Sequence, residues 1–250
     1  MKVIKTKISW IDKILPEGLP LNTSTIITGP GGSGKPLIGE TFVNGWLKEG
    51  GSVIFMSLQY PSPAFLTLSM KNVTGLNLKD YMNRIIFLQL DVGISDLIYD
   101  KNIIRANLVK PAVWNEGLRV AKIKLPNEGP GILVFGSALN LLLFSPTYGV
   151  AILEQMKKTI TSDKSDTYIF SVSTSAKGKE ISELEKAADN LILSRSEKDP
   201  FRLFMKVVRV KNLSFNPTEV EVPIPSEVLN DIKVTADHSR KIVIPAISKI

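Results

Sequence analysis

Apolar residues along the first half of the chain alternate between two rhythms. Residues 24–28 form a short β-branched run that ends in a cluster of glycines. Leu37, Ile38, Thr41, Phe42 and Trp46 then recur at helical spacing, and Gly50-Gly51 closes that helix. Residues 52–58 (SVIFMSL) are almost continuously apolar, the pattern of a parallel strand buried on both faces. The same reading predicts strands over 84–90, 132–135 and 168–172, another starting at 191, and two more over 201–210 and 219–224. Helices are expected over 112–122, 150–159 and 181–188. Strand–helix alternation predicts an α/β fold with a mainly parallel central sheet flanked by helices. The closely spaced late strands predict antiparallel additions at the C-terminal edge. One domain is expected over residues 1–232, with 233–250 a tail or an interface strand.

Composition narrows the chemistry. The 250 residues include no cysteine and one histidine, His238. Disulfides, thiolate zinc sites, iron–sulfur clusters and thiol nucleophiles are therefore excluded. Ser-His-Asp catalysis and His-rich metal sites would rest on that single imidazole. His238 sits beside Arg240 and Lys241 and reads as a surface residue. Lys and Arg number 31 against 24 Asp and Glu, a net charge of +7. That balance permits an acidic partner without requiring one. The longest mostly apolar run, residues 131–144, is too short to span a bilayer. The N-terminus has no signal-type apolar core. A cytoplasmic protein with no membrane partner is expected.

The informative segment is Gly29-Pro-Gly-Gly-Ser-Gly-Lys35, set between an apolar strand and an amphipathic helix. This is the context of a phosphate-binding P-loop. Backbone N–H groups of Gly29, Gly31, Gly32, Ser33 and Gly34 can converge on an anion, and Lys35 adds a formal charge. The next residue departs from the pattern. A P-loop that handles Mg²⁺ carries Ser or Thr after the lysine, and here Pro36 removes both the hydroxyl and a backbone N–H. Proline is tolerated in a first helical turn. The substitution is therefore expected to spare the fold and damage the ligand site.

With these motifs in place, the chain resembles the RecA superfamily, and within it the KaiC-like ATPases and archaeal RadA-paralogue proteins. The resemblance rests on SWIDKILPEGLP (residues 9–20), the P-loop, GGSVIFMSL and ISELEKAADNLILSR (residues 181–195), in that order. It covers about residues 7–224. It implies a RecA-like core whose catalytic positions can be carried over one by one. Where the family places a pair of acids after the second core strand, this chain has Gln59 and Tyr60. Where it places Asp-Ser after four apolar residues, this chain has Gly136-Ser137. Pro36, Gln59-Tyr60 and Gly136 all lack the metal-holding or proton-accepting oxygens of their counterparts.

The resemblance therefore implies a pseudo-ATPase, a degenerate P-loop protein acting as a non-hydrolysing accessory or regulatory subunit, of the kind that serves recombination and repair. ATP or ADP would bind weakly at most, without Mg²⁺. Partners would be further copies of the chain or a RecA-, RadA- or KaiC-like paralogue. Arg209 and Lys211 stand where the family reaches across to a neighbour's nucleotide, although their alternation also suits an ordinary half-exposed strand. Two alternatives stay open: a weak ATPase using substituted acids, with Asp91 as the nearest candidate, and a single-stranded-DNA-binding module. The second would use Lys177, Lys179, Arg209 and Lys211, or the strip holding Lys101, Arg105, Lys110, Arg119, Lys122 and Lys124. Trp114 within that strip is expected in the core.

Overall fold

The computed structural model describes residues 2–58, 60, 62–199 and 201–250. Strands β1 (Val3–Ile4) and β2 (Leu19–Pro20) form a small antiparallel pair around helix α1 (Ser9–Ile14). The chain then enters the main sheet through β3 (Ser24–Gly29), α2 (Lys35–Lys48), β4 (Ser52–Ser57), α3 (Pro63–Thr74) and β5 (Ile85–Leu90). Strands β6 (Ile98–Asp100) and β7 (Ile103–Ala106) follow, then α4 (Pro111–Ile123), β8 (Ile132–Ser137), α5 (Gly149–Ser162) and β9 (Thr167–Ser173). The chain continues through α6 (Gly178–Ala187), β10 (Asn190–Lys198), β11 (Phe201–Arg209), β12 (Val220–Val222) and α7 (Ser226–Ile247).

Ten strands make one sheet in the order β12-β11-β10-β3-β9-β8-β4-β5-β7-β6. The seven strands from β10 to β7 run parallel, and β11, β12 and β6 add antiparallel edges. The expected α/β architecture is thus present, antiparallel C-terminal edge included. A third antiparallel strand, β6, stands at the opposite edge. Because both faces of the parallel strands are covered, they bury their side chains on both sides, and two apolar cores result. One core holds Ile27, Phe42, Phe55 and Phe135, and the other Ile26, Ile54, Val134 and Phe170. Trp114 is fully buried in the second core, as its apolar setting predicts.

Helix α2 can lie close to the sheet because Gly39 has no side chain. A Cβ there would fall 2.1 Å from Cε2 of Phe135. The helix ends where Gly50 and Gly51 donate to the carbonyls of Leu47 and Trp46. The largest departure from expectation lies at the C-terminus. In place of a tail or interface strand over 233–250 there is the 22-residue helix α7, whose start precedes residue 233. Its buried residues Leu229, Ile232, Ala236, Ser239 and Ile247 recur every three to four positions, or multiples of that spacing. The helix packs against α3, β11 and the segment that follows β8. No helix among the described residues is long and apolar enough to cross a membrane.

Candidate functional site

The site begins where β3 ends. Gly32 and Gly34 take φ values of +77° and +65°, which lets the chain reverse and place Lys35 at the head of α2. Pro36 falls in the first turn of α2, where its missing N–H breaks no helical bond. Gly31 donates its N–H to Ser175 Oγ at 2.8 Å. Among the described residues, the N–H groups of Gly32, Ser33 and Gly34 have no hydrogen-bond partner. Three backbone donors at a helix start are thus free for an anion.

Lys35 turns back into the loop. Its ammonium donates to the carbonyls of Gly29 (3.0 Å) and Pro30 (2.5 Å) and to Ser33 Oγ (3.1 Å). The side chain is 6% exposed. Burial, reinforced by the nearby Arg240 guanidinium, pushes its pKa down to about 7. Ser33 Oγ also shares a hydrogen bond of 2.7 Å with Ser194 Oγ on β10, which ties the loop to the neighbouring strand.

The positions that would face a metal are lined differently. Ser137 Oγ donates to Ser57 Oγ at 2.9 Å across the β4–β8 pair. Ser171 Oγ accepts from the N–H of Ala138, which adopts φ +57°. Asn140 Oδ1 accepts from the N–H of Ser173 at 3.0 Å. Hydroxyls and an amide thus occupy the strand ends. A Cβ on Gly136 would lie 2.5 Å from Leu139 Cδ1 and 2.9 Å from Phe170 Cδ1, so the space for an acidic side chain is filled with hydrocarbon. Gln59 lies outside the described residues. Tyr60 is buried against Phe65, lines the cavity and interacts through its hydroxyl with Glu40. Glu40 lies in α2, fully buried, and Ser69 Oγ donates to its two oxygens at 2.9 and 3.1 Å. Burial pushes its carboxyl up to about 8, against the smaller opposing effect of the Ser69 and Tyr60 hydroxyls.

A cavity of about 170 Å³ opens above the loop, and α7 forms its far wall. Lys35, Lys233 and Arg240 contribute to its lining. Among the described residues, no Asp or Glu lines it and no cluster of His, Cys, Asp and Glu suits a metal. Mg²⁺ favours oxygen ligands that include a carboxylate, so this lining does not fit the ion.

The remaining candidates lie elsewhere. Arg209 donates to the carbonyls of Glu185 (2.5 Å) and Ala188 (2.9 Å), and Lys211 pairs with Asp189 at 2.8 Å. Both sit near the start of β3, at the opposite end of the sheet from the loop, and are engaged within the chain. Asp91 faces Arg105 at 3.9 Å and does not line the cavity. In the basic strip, Lys122 meets Asp163 and Asp166, and Arg119 meets Glu116. Lys124 lies over the ring of Tyr99. Lys177 approaches Glu180 at 3.9 Å, and His238 is exposed on α7. Sequence reasoning missed Glu40, Lys233 and Arg240. The helical recurrence from Leu229 to Ile247 would have announced α7, but nothing local announces that it returns to the glycine loop.

Comparison with known proteins agrees with this geometry. Residues 4–108 match the family model described as "ATPase: KaiC". A UPF0273 protein of Saccharolobus solfataricus is 24% identical over 164 residues, covering 64% of this chain. The aligned region spans just over half of that relative's length, 57%. The crystal structure of a KaiC-like protein from Pyrococcus horikoshii superposes with a TM-score of 0.67 at 15% identity, covering 90% of this chain and 96% of that one.

Proposed function

We propose that the chain is a KaiC-like, nucleotide-binding accessory subunit that does not hydrolyse ATP, a reading supported by the match of residues 4–108 to the KaiC ATPase model and by the shared fold. The observation that carries this reading is the lining of the strand ends. Phosphoryl transfer in P-loop proteins needs a metal held by a hydroxyl and an acid, and a group to position water. Here the hydroxyl is replaced by Pro36, and the acid by Gly136 with Leu139 packed into its space. The anion-binding parts survive: three free backbone N–H groups and Lys35. Binding of ATP or ADP is weak because Lys35 must first leave three acceptors inside the loop.

The expected partner is a catalytically complete RecA- or KaiC-like paralogue, or further copies of the chain. A KaiC-like fold with a retained loop and, among the described residues, no Asp or Glu lining the cavity suits a subunit that senses nucleotide for others. The test is phosphate release by the pure protein with Mg²⁺ and ATP, beside Lys35→Ala. Release at the background of the Lys35→Ala variant is expected. Turnover clearly above that background would refute the reading.

A further inference from the structure

Two cations on α7 face the glycine loop. A Cβ built on Gly31 would lie 3.8 Å from Arg240 Nη1, and one on Gly32 3.9 Å from Lys233 Cε. Lys233 has no carboxylate partner among the described residues, and its ammonium sits 5.4 Å from the centre of the Phe201 ring. Arg240 pairs with Asp237 through Nη2, which leaves Nη1 toward the loop. With Lys35 this places three cations around one cavity, with a single carboxylate beside them. Like charges converging on one point repel unless an anion lies between them. Gly32, Ser33 and Gly34, whose N–H groups have no partner among the described residues, line the same cavity. The cavity is therefore polar and positive on the loop side and on part of the α7 side.

Other features of the molecule explain themselves without a ligand. The Lys122–Asp163–Asp166–Tyr168 cluster and the Lys164–Asp189–Lys211 cluster are internally paired. Glu40 is enclosed by its own partners. The loop and α7 together differ in that their cations have no counter-ion of matching number.

We propose that Lys233 and Arg240 stand in for the divalent metal, so that the phosphate chain of a nucleotide binds between the glycine loop and α7 without Mg²⁺. This rests on the reading of the loop as a nucleotide site and adds to it the source of charge neutralisation. A guanidinium and an ammonium can each make charge-assisted hydrogen bonds to phosphate oxygens. The bound phosphates would bridge the glycine loop and α7, which line the cavity from two sides. The ligand would thereby also hold α7 in place.

The experiment is calorimetric titration of the full chain with ATP, once in EDTA and once with excess Mg²⁺. Wild type and the variants Lys233→Ala, Arg240→Ala and Arg240→Lys are compared. Lys233 is exposed and Arg240 partly so, and circular dichroism checks that each variant is folded. Wild type is expected to bind in EDTA at least as tightly as with Mg²⁺. Each alanine variant should weaken that binding about tenfold, with Arg240→Lys losing less, on the scale of one lost charge-assisted hydrogen bond. Binding that requires Mg²⁺, or metal-free binding that the alanine variants leave unchanged, overturns the proposal and leaves the non-hydrolysing reading standing. Tighter binding by the alanine variants also overturns it, because α7 would then be a plug and not a wall. If wild type binds ATP under neither condition, the nucleotide-site reading falls with it.

Discussion

Glu40 makes folding stability depend on pH in a direction opposite to that of most carboxylates. Its carboxyl is enclosed by α2, α3 and Tyr60, and burial raises it from 4.5 to about 8. Below pH 4.5 the group is protonated in both the folded and the unfolded chain and adds no slope. Between 4.5 and about 8 the unfolded chain releases the proton and the folded chain keeps it. Stability therefore falls as pH rises, by up to about 1.4 kcal/mol per unit. From pH 5.5 to 7.5 the loss attributable to this group is about 2–3 kcal/mol. Lys35 acts in the opposite sense. Its folded pKa near 7 lies below the ordinary lysine value of 10.5, so its contribution rises with pH, mostly above 7. Glu40→Gln keeps the shape, remains neutral throughout and leaves the Lys35 effect common to both chains. Urea unfolding of wild type and Glu40→Gln at pH 5.5, 6.5 and 7.5 isolates the difference. The variant should gain about 2–3 kcal/mol on wild type across that range. Stability differences that stay constant with pH would show that Glu40 ionises freely and that the reasoning is wrong.

Further outcomes follow from the packing and the ion pairs. Gly136→Asp should cost about 2–4 kcal/mol in chemical denaturation, because its Cβ meets Leu139 and Phe170 and its carboxylate is buried. The variant should gain no Mg²⁺-dependent ATP binding until Leu139 is also reduced to Ala, and calorimetry distinguishes the two cases. Gly39→Ala should cost about 1–3 kcal/mol by pushing α2 off Phe135, and unfolding midpoints equal to wild type would contradict this. Asp189 is held down at about 2 by Lys164, Lys211 and the N–H of Ser24, against the opposing effect of burial. Its stabilisation is present above pH 3.8 and is lost as pH falls through about 2. Asp189→Asn should therefore lose about 1–2 kcal/mol near neutrality and converge on wild type near pH 2, measured by thermal unfolding across pH.

The central strands were legible because SVIFMSL and ILVF are too apolar to face water on either side. The P-loop was legible because glycine spacing ahead of a helical run is a local signal, although α2 proves to be buried along nearly its whole length and not amphipathic as expected. Helix α3 was missed although its ends are marked. Ser62 accepts from the N–H of Phe65, Pro63 sits in the first turn, and Gly75 closes the helix at φ +73°. Strands β6 and β7 were missed because they are short, and β6 is exposed along its length. Helix α7 was divided by a boundary drawn at residue 232, and Pro245 in its last turns disguised its continuation. The missing acid at Gly136 could be read from the sequence. That Leu139 and Phe170 occupy its space could not, because that depends on the turn after β8 and on the adjacent strand. The meeting of Lys233 and Arg240 with Gly31 and Gly32 depends on nearly the whole length of the chain folding back on itself.

That long return has a consequence for the order in which the protein is built. The loop and α2 precede in the chain the segments that hold them, since β3 lies between β9 and β10 and the loop is bonded to Ser175 and Ser194. The cavity waits longer still, because one wall is α7. Contacts between such distant segments carry the largest loop-closure cost and are made late. By the same logic, α7 should be the first large element to detach from the intact fold, and its amides should exchange with solvent ahead of those in β3 and β8. The binding pocket is thus a late product of folding, and its presence reports that α7 has been made and has docked.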